Sequence, residues 1–278
     1  MTLTPEPVRS LAHPSTDPTS LIARARAALG WEGSDFVVGL QGFGELMSTL
    51  EVATDLEGLC RIGDPTSAPL RLLRALNAAH PALRVTRVAT VPSPWRWTRL
   101  GGGAGDAESV ALRQQTYSDV VGSLGRAGVA FRVLPNETTT EEILRIGHEL
   151  GSAVVDVDEL EPDAILILGF IEQQDPVSYG LLSRERTEHD ADQGAVWLSI
   201  AAEREAAGTL MVALERFSSL GLNLDFLHSD PLGPGQHDFY LGFRAGTTRL
   251  AELQAALAEV HFTSRVLASF ALAPGGRQ

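Results

Sequence analysis

Every strong cation in this chain is an arginine: the 22 Lys and Arg residues include no lysine at all. A protein-derived Schiff base, a pyridoxal phosphate anchor and a P-loop lysine are therefore chemically impossible. An anionic ligand has to be held by guanidinium groups, whose planar fork suits carboxylates, or by backbone N–H groups. Gly208 stands at the start of a helical segment, where free N–H groups face outward and glycine permits close approach of a carboxylate. A plain N-cap role explains the same residue. Gly39-x-x-Gly42-x-Gly44 follows a strand-like run but departs from the nucleotide fingerprint, and the Gly101–Gly105 stretch reads as a linker because it lacks the P-loop spacing.

Other chemistries find less support. His80, His148, His189, His228, His237 and His261 show no i, i+4 metal spacing on one helix, and no Gly-x-Ser-x-Gly elbow is present. His189-Asp190-Ala191-Asp192 reads as a solvated acidic turn, and Glu141-Glu142 as charges favoured at a helix start. The single cysteine, Cys60, has no disulfide or zinc partner and reads as a small buried side chain. No metal and no organic cofactor is implied.

The elements that must position these groups follow from the apolar pattern. The chain has 278 residues and is 44% hydrophobic, enough for two domains or one large one. Residues 1–34 read as an N-terminal extension broken by Pro14 and Pro18, with a short helix over 20–29 ended by Gly30. A strand over 35–39 and a helix over 45–53 follow. Leu72 and Leu76, beside Leu70 and Leu73, set a helix over 69–79 that His80-Pro81 closes. Strands over 83–91, 129–134, 153–157 and 164–170 alternate with helices over 109–127 and 140–150. This alternation predicts an α/β domain over 35–186. The rhythm changes over 193–272, where strands at 195–201, 222–229, 237–244 and 265–270 and helices at 209–220 and 248–260 give βαββαβ, a ferredoxin-like order.

A formal net charge of −13 argues against nucleic acid or an anionic membrane as partner. No apolar run approaches the ~20 residues that span a bilayer, and the first residues lack signal-peptide character, so a cytoplasmic location is expected.

Motifs inside the last segment narrow the reading. Gly208-Thr209-Leu210-Met211, Gly221-Leu222-Asn223-Leu224, His228-Ser229-Asp230-Pro231 and Phe239-Tyr240-Leu241-Gly242-Phe243 follow one another in order. Together they resemble the Gly-Ala-Leu, Gly-Ile-Asn-Leu, Glu-Ser-Arg-Pro and aromatic-strand motifs of the ACT domain attached to prephenate dehydratases. His228 stands for the glutamate and Asp230 for the arginine. The resemblance implies an amino-acid effector bound by Gly208, Thr209, Leu210, Asn223, His228 and Ser229, between subunits of a homodimer or higher homo-oligomer.

The catalytic part of that family is matched more loosely. Gly39-Leu40-Gln41-Gly42-Phe43 is similar to its Gly-Pro-x-Gly-Thr turn, and residues 58–65 lie where a strand ends in Pro-Ile-Glu-Asn-Ser, keeping Ile62. Val177-Ser178-Tyr179 takes the place of its Thr-Arg-Phe. The resemblance implies a two-lobed α/β prephenate-dehydratase-like domain followed by a ferredoxin-like ACT domain. Its substrate would be prephenate or a related ring diacid of aromatic amino-acid biosynthesis. Dehydration needs cations for two carboxylates and an acid for the departing hydroxyl. With Val177 and Ser178 replacing threonine and arginine, Ser178, Tyr179 and Arg61 become the catalytic candidates. Gly39, Gly42, Arg96 and Arg99 become the substrate-binding ones. Two further readings fit the altered motif: decarboxylation without dehydration, which needs no acid at the ring hydroxyl, and a catalytically inactive amino-acid sensor.

Overall fold

The structure is a computed structural model that describes residues 10–31, 36–100, 109–185, 194–204, 206–233 and 236–271. The glycine run at 101–105 and the His189–Asp192 turn lie outside the described residues. In chain order the first elements are β1 (Ser10–Pro14), α1 (Thr19–Ala28), β2 (Phe36–Leu40), α2 (Phe43–Val52), β3 (Leu56–Arg61), α3 (Leu70–Ala78) and β4 (Arg84–Val91). Next come β5 (Trp95–Arg99), β6 (Ser109–Arg113), α4 (Gln114–Ala127), β7 (Ala130–Leu134), α5 (Thr140–Leu150), β8 (Gly151–Asp156), α6 (Pro162–Ile167) and β9 (Phe170–Gln173). The last are β10 (Val177–Ser183), β11 (Gly194–Ala202), α7 (Thr209–Ser219), β12 (Leu224–Gly233), β13 (Gln236–Arg244), α8 (Thr247–Glu259) and β14 (Phe262–Ala271).

The chain is mixed α/β and divides into two compact units of interleaved ranges. One comprises Met1–Ser15, Ala27–Ala89 and Ser178–Gln278; the other comprises Thr16–Arg26 and Thr90–Val177.

The first unit holds a nine-stranded sheet in the order β12-β13-β11-β14-β4-β10-β3-β1-β2. Its β12-β13-β11-β14 end is antiparallel, with α7 and α8 as the crossovers, which is the ferredoxin-like topology. The segment expected as an extension supplies β1, paired parallel with both β2 and β3. Leu11 and Ala12 are fully buried, so Pro14 ends a strand that the apolar pair drives inward, and Pro18 lies beyond it.

Both faces of the ferredoxin-like sheet are covered. Val196, Leu198, Phe239, Leu241 and Phe243 pack with Phe217 of α7 and Leu250, Leu253 and Leu257 of α8. On the reverse face Trp197, Phe226, Tyr240 and Phe270 share a core with Leu72, Leu73 and Leu76 of α3. Burying each of those leucines contributes about 1.5–3 kcal/mol. Gly242 leaves room for Phe226, because a Cβ there would stand 2.1 Å from its ring.

The second unit holds a five-stranded sheet, β7-β6-β8-β5-β9, in which β6 runs parallel to both β7 and β8. Two expectations fail here. Residues 109–113 form β6 rather than the first turn of a helix, because Val110, Ala111 and Leu112 are buried within the sheet. The apolar run expected as a strand over 164–170 is instead α6, started by Pro162 at its first turn, followed by β9. A short apolar run does not separate helix from strand by periodicity.

Candidate functional site

The groups expected at the effector site are brought together in part. Gly208 takes the left-handed conformation (φ 89°) that ends one turn and opens α7. The Thr209 hydroxyl accepts from the Ala206 N–H at 2.8 Å, and the Thr209 N–H donates to the Ala206 carbonyl at 3.1 Å, pinning this start. A cavity of about 310 Å³ is lined there by Gly208, Thr209, Leu210, Met211, Ser229, His237 and Phe239. The ring of His237 stacks on Phe239, centroids 5.9 Å apart. The first turn of α7 suits a carboxylate, and Leu210, Met211 and Phe239 suit an apolar side chain.

Two expected members sit elsewhere. Asn223 lines a second cavity of about 450 Å³ with Asp225, Arg244 and Arg249. His228 neighbours Ser229 on β12, so strand alternation points it to the opposite face, where its ring lies 5.3 Å from that of Phe226. Sequence order alone made these residues look contiguous. The alternation along β13 was the signal that placed His237 and Phe239 with Ser229.

The catalytic candidates meet where β10 pairs with β3. Tyr179 lies directly opposite Arg61 in that ladder. The Arg61 Nε–H donates to the Tyr179 hydroxyl at 3.2 Å, and the Tyr179 side chain is wholly buried. The Ser178 carbonyl accepts from the Ile62 N–H at 3.0 Å. Ser178 and Tyr179 are successive strand residues, so their side chains leave opposite faces and do not serve one small ligand as a pair.

Gly39 pairs with His13 within the sheet, and a Cβ there would press on Ser15 at 3.3 Å. Gly42 is the N-cap of α2 in extended backbone. The carboxylate of Glu45 accepts from the Gln41 N–H in that turn. The anion expected at these glycines thus meets a carboxylate the chain already supplies.

Arg96 and Arg99 belong to the second unit, on β5. Three positions apart on a strand in regular register with β8, they leave opposite faces and cannot clamp one carboxylate together. Arg96 donates to the Ser93 and Trp95 carbonyls at 2.6 and 2.8 Å; burial and then the nearby Arg24 cation lower its pKa. Arg99 is exposed.

The second unit also holds polar groups that the sequence reading passed over. Arg113, 6% exposed at the end of β6, donates to the Thr138 carbonyl at 2.8 Å, to Glu159 at 2.7 Å and to the Thr140 hydroxyl at 3.0 Å. Burial opposes the Glu159 charge, but the hydrogen bonds from Arg113 and Thr140 prevail and hold its pKa low. An arginine ending an apolar run was the available clue. Asp156, at the end of β8, has its pKa raised by burial although Ser20 donates to it at 2.7 Å. Among the described residues, no three His, Cys, Asp or Glu side chains group as a metal site, and no helix is long and apolar enough to cross a membrane.

No family model and no curated protein matches the sequence. Solved structures do match. A prephenate dehydratase from Arthrobacter aurescens, in complex with L-Phe, is 16% identical over 97% of this chain and 92% of its own, with a TM-score of 0.67. The prephenate dehydratase from Staphylococcus aureus subsp. aureus Mu50 is 12% identical over 94% and 99%, with a TM-score of 0.62. GqqA, described as a novel type of quorum quenching acylase, is 14% identical over 96% and 98%, with a TM-score of 0.61. At such identities the likeness concerns the fold, which is that of the prephenate dehydratases, and the same fold carries an acylase.

Proposed function

We propose that this chain is a divergent prephenate-dehydratase-like protein of aromatic amino-acid metabolism. It acts on prephenate or a related ring diacid and takes an amino-acid effector in the α7 cavity, its ferredoxin-like part serving as an ACT domain. The observation that carries the proposal is the convergence of Gly208, Thr209, Leu210 and Ser229 with Phe239 around a cavity of amino-acid size. The effector carboxylate rests against the start of α7 and its side chain against Leu210, Met211 and Phe239. L-Phe, the ligand named for the Arthrobacter aurescens protein, is the first probe. A second copy of the chain completes the cavity; Met211 and Leu227, 64% and 39% exposed, supply apolar surface for it.

One observation favours a second reading, an amino-acid sensor without turnover. Tyr179 is wholly buried with its hydroxyl engaged by Arg61, and Val177 offers no hydroxyl at all. Loss of one positioned donor commonly costs about a hundred- to thousandfold in rate.

Incubating the purified protein with prephenate, following ultraviolet absorbance and identifying products, separates the readings. Phenylpyruvate supports dehydration, and a non-aromatic decarboxylated keto acid supports a decarboxylase. Unchanged prephenate, with a melting temperature raised by phenylalanine, leaves the sensor. The proposal fails if the protein neither turns over prephenate nor melts higher with any aromatic amino acid, and a monomer in sedimentation at micromolar concentration removes its dimer.

A further inference from the structure

The second cavity, of about 450 Å³, differs in kind from the one at the start of α7. It lies at the opposite end of that helix, whose eleven residues separate the two by roughly 16 Å. Among the described residues, none lines both. Two corners of the ferredoxin-like part form its walls. The turn from α7 into β12 gives Leu222, Asn223 and Asp225; the corner from β13 into α8 gives Arg244, Ala245 and Arg249. Gly221 shapes the first corner. Its φ of 66° lets the chain reverse, with the Gly221 N–H donating to the Ser218 carbonyl at 3.0 Å and the Leu222 N–H to the Phe217 carbonyl at 2.9 Å.

The arginines of this cavity are held in place without being filled. The Arg249 guanidinium donates to the Leu220 carbonyl at 3.3 Å, which fixes it against the end of α7 and uses one of its five donors. Arg244 approaches the Asp225 carboxylate to 3.8 Å through Nε, an attraction too long for a hydrogen bond. Other arginines of the same unit are engaged differently. Arg74 donates twice to Asp230, and Arg265 donates to the carbonyls of Asn77, Ala79 and His80. Two guanidinium charges against one carboxylate leave a single positive charge at the cavity, within a chain of net charge −13. One carboxylate matches that balance, whereas a doubly charged phosphate would face Asp225 uncompensated. Asp225 and the Asn223 side-chain carbonyl are acceptors, so a ligand that fills the site brings a donor to them. No aromatic ring lines the cavity, and its apolar members Leu222 and Ala245 are small and buried.

We propose that this cavity binds a small, non-aromatic carboxylate that carries a hydroxyl or ammonium donor on the neighbouring carbon. Arg244 and Arg249 take the carboxylate through charge-assisted hydrogen bonds, and Asp225 with Asn223 accepts from the donor. The site stands apart from the α7 cavity and from any turnover of prephenate. Isothermal titration calorimetry of the full chain tests it, with L-lactate as the hydroxyl probe and glycine as the ammonium probe. Acetate, which has no donor, and inorganic phosphate are the comparisons. L-lactate or glycine is expected to bind at least about tenfold more tightly than either comparison, and the tighter of the two identifies the donor. Arg244→Ala and Arg249→Ala are each expected to weaken that binding about tenfold or more. Asp225→Asn is expected to weaken it without weakening acetate. Both arginines are exposed, so the variants should melt with the parent in the absence of ligand; if an alanine variant does not fold, Arg244→Gln and Arg249→Gln are read in its place. Absence of lactate and glycine binding, acetate or phosphate binding as tightly, or binding that survives the arginine substitutions overturns the proposal.

Discussion

At the scale of single residues, two glycines separate conformational from steric necessity. Gly208 needs its positive φ but has open space around a hypothetical Cβ, so Gly208→Ala carries only the left-handed cost of roughly 1–2 kcal/mol. Gly242 has ordinary backbone and no space, because the Phe226 ring occupies the position. Gly242→Ala is expected to destabilise by at least about 1–3 kcal/mol, more than Gly208→Ala, in urea denaturation; the reverse order would contradict the packing described. The carboxylates beside α3 titrate in opposite senses. Burial, and then the Asp230 charge, push the Asp238 pKa above its ordinary value of 3.8, whereas the Arg74 hydrogen bonds hold Asp230 below it. Between 3.8 and the raised value, folded Asp238 keeps a proton that the unfolded chain has released. Its contribution to stability therefore falls as pH rises through that window. Asp238→Asn should melt higher than the parent at pH 7, with the gain shrinking as pH falls toward 4. A lower melting temperature at pH 7 would show that the charge is needed there.

At the scale of elements, helices with strong apolar spacing were legible and strands inside a buried sheet less so. The residue 70, 72, 73 and 76 pattern marks α3 and also names the face that packs, since Leu72, Leu73 and Leu76 are the buried ones. Leu76→Ala is expected to cost roughly 2–5 kcal/mol, measured by urea denaturation. Arg145→Ala on α5 should fall within about 0.5 kcal/mol, because Arg145 and its partners Glu142 and Glu149 are all exposed. A comparable loss at both sites would deny α3 its place in the core. By contrast β1 and β6 were hidden. Their five-residue runs carry no turn signal of their own, and their partners in the ladder are distant in sequence. The candidate site was legible to a similar depth. Gly208, Thr209, Leu210 and Ser229 converge, but His228 was assigned by motif order although alternation turns it away.

At the scale of the whole molecule, the ferredoxin-like segment does not carry its core alone. Trp197, Phe226, Tyr240 and Phe270 are covered by α3, and β14 meets β4 in the same sheet through Ala268 and Val85. Residues 194–271 expressed alone should therefore bind a hydrophobic dye that the full chain does not, and soluble, dye-silent behaviour of the fragment would count against the shared core. The likeness to prephenate dehydratases extends over almost the whole chain, yet at 12–16% identity it reaches the backbone rather than the chemistry.

The sequence by itself determined the ferredoxin-like order of the last segment, the helix over 70–78 and the face it buries, and the restriction of anion binding to arginine and backbone donors. These are properties of neighbours in the chain, set by residue type, apolar period and glycine. Only the tertiary structure decided which face each strand residue presents, that Arg61 engages Tyr179, and that Asp230 latches onto Arg74 rather than facing the cavity. Partners 118 and 156 positions apart have no local signal to join them. Their meeting follows from sheet register and from burial, which act on the folded chain as a whole.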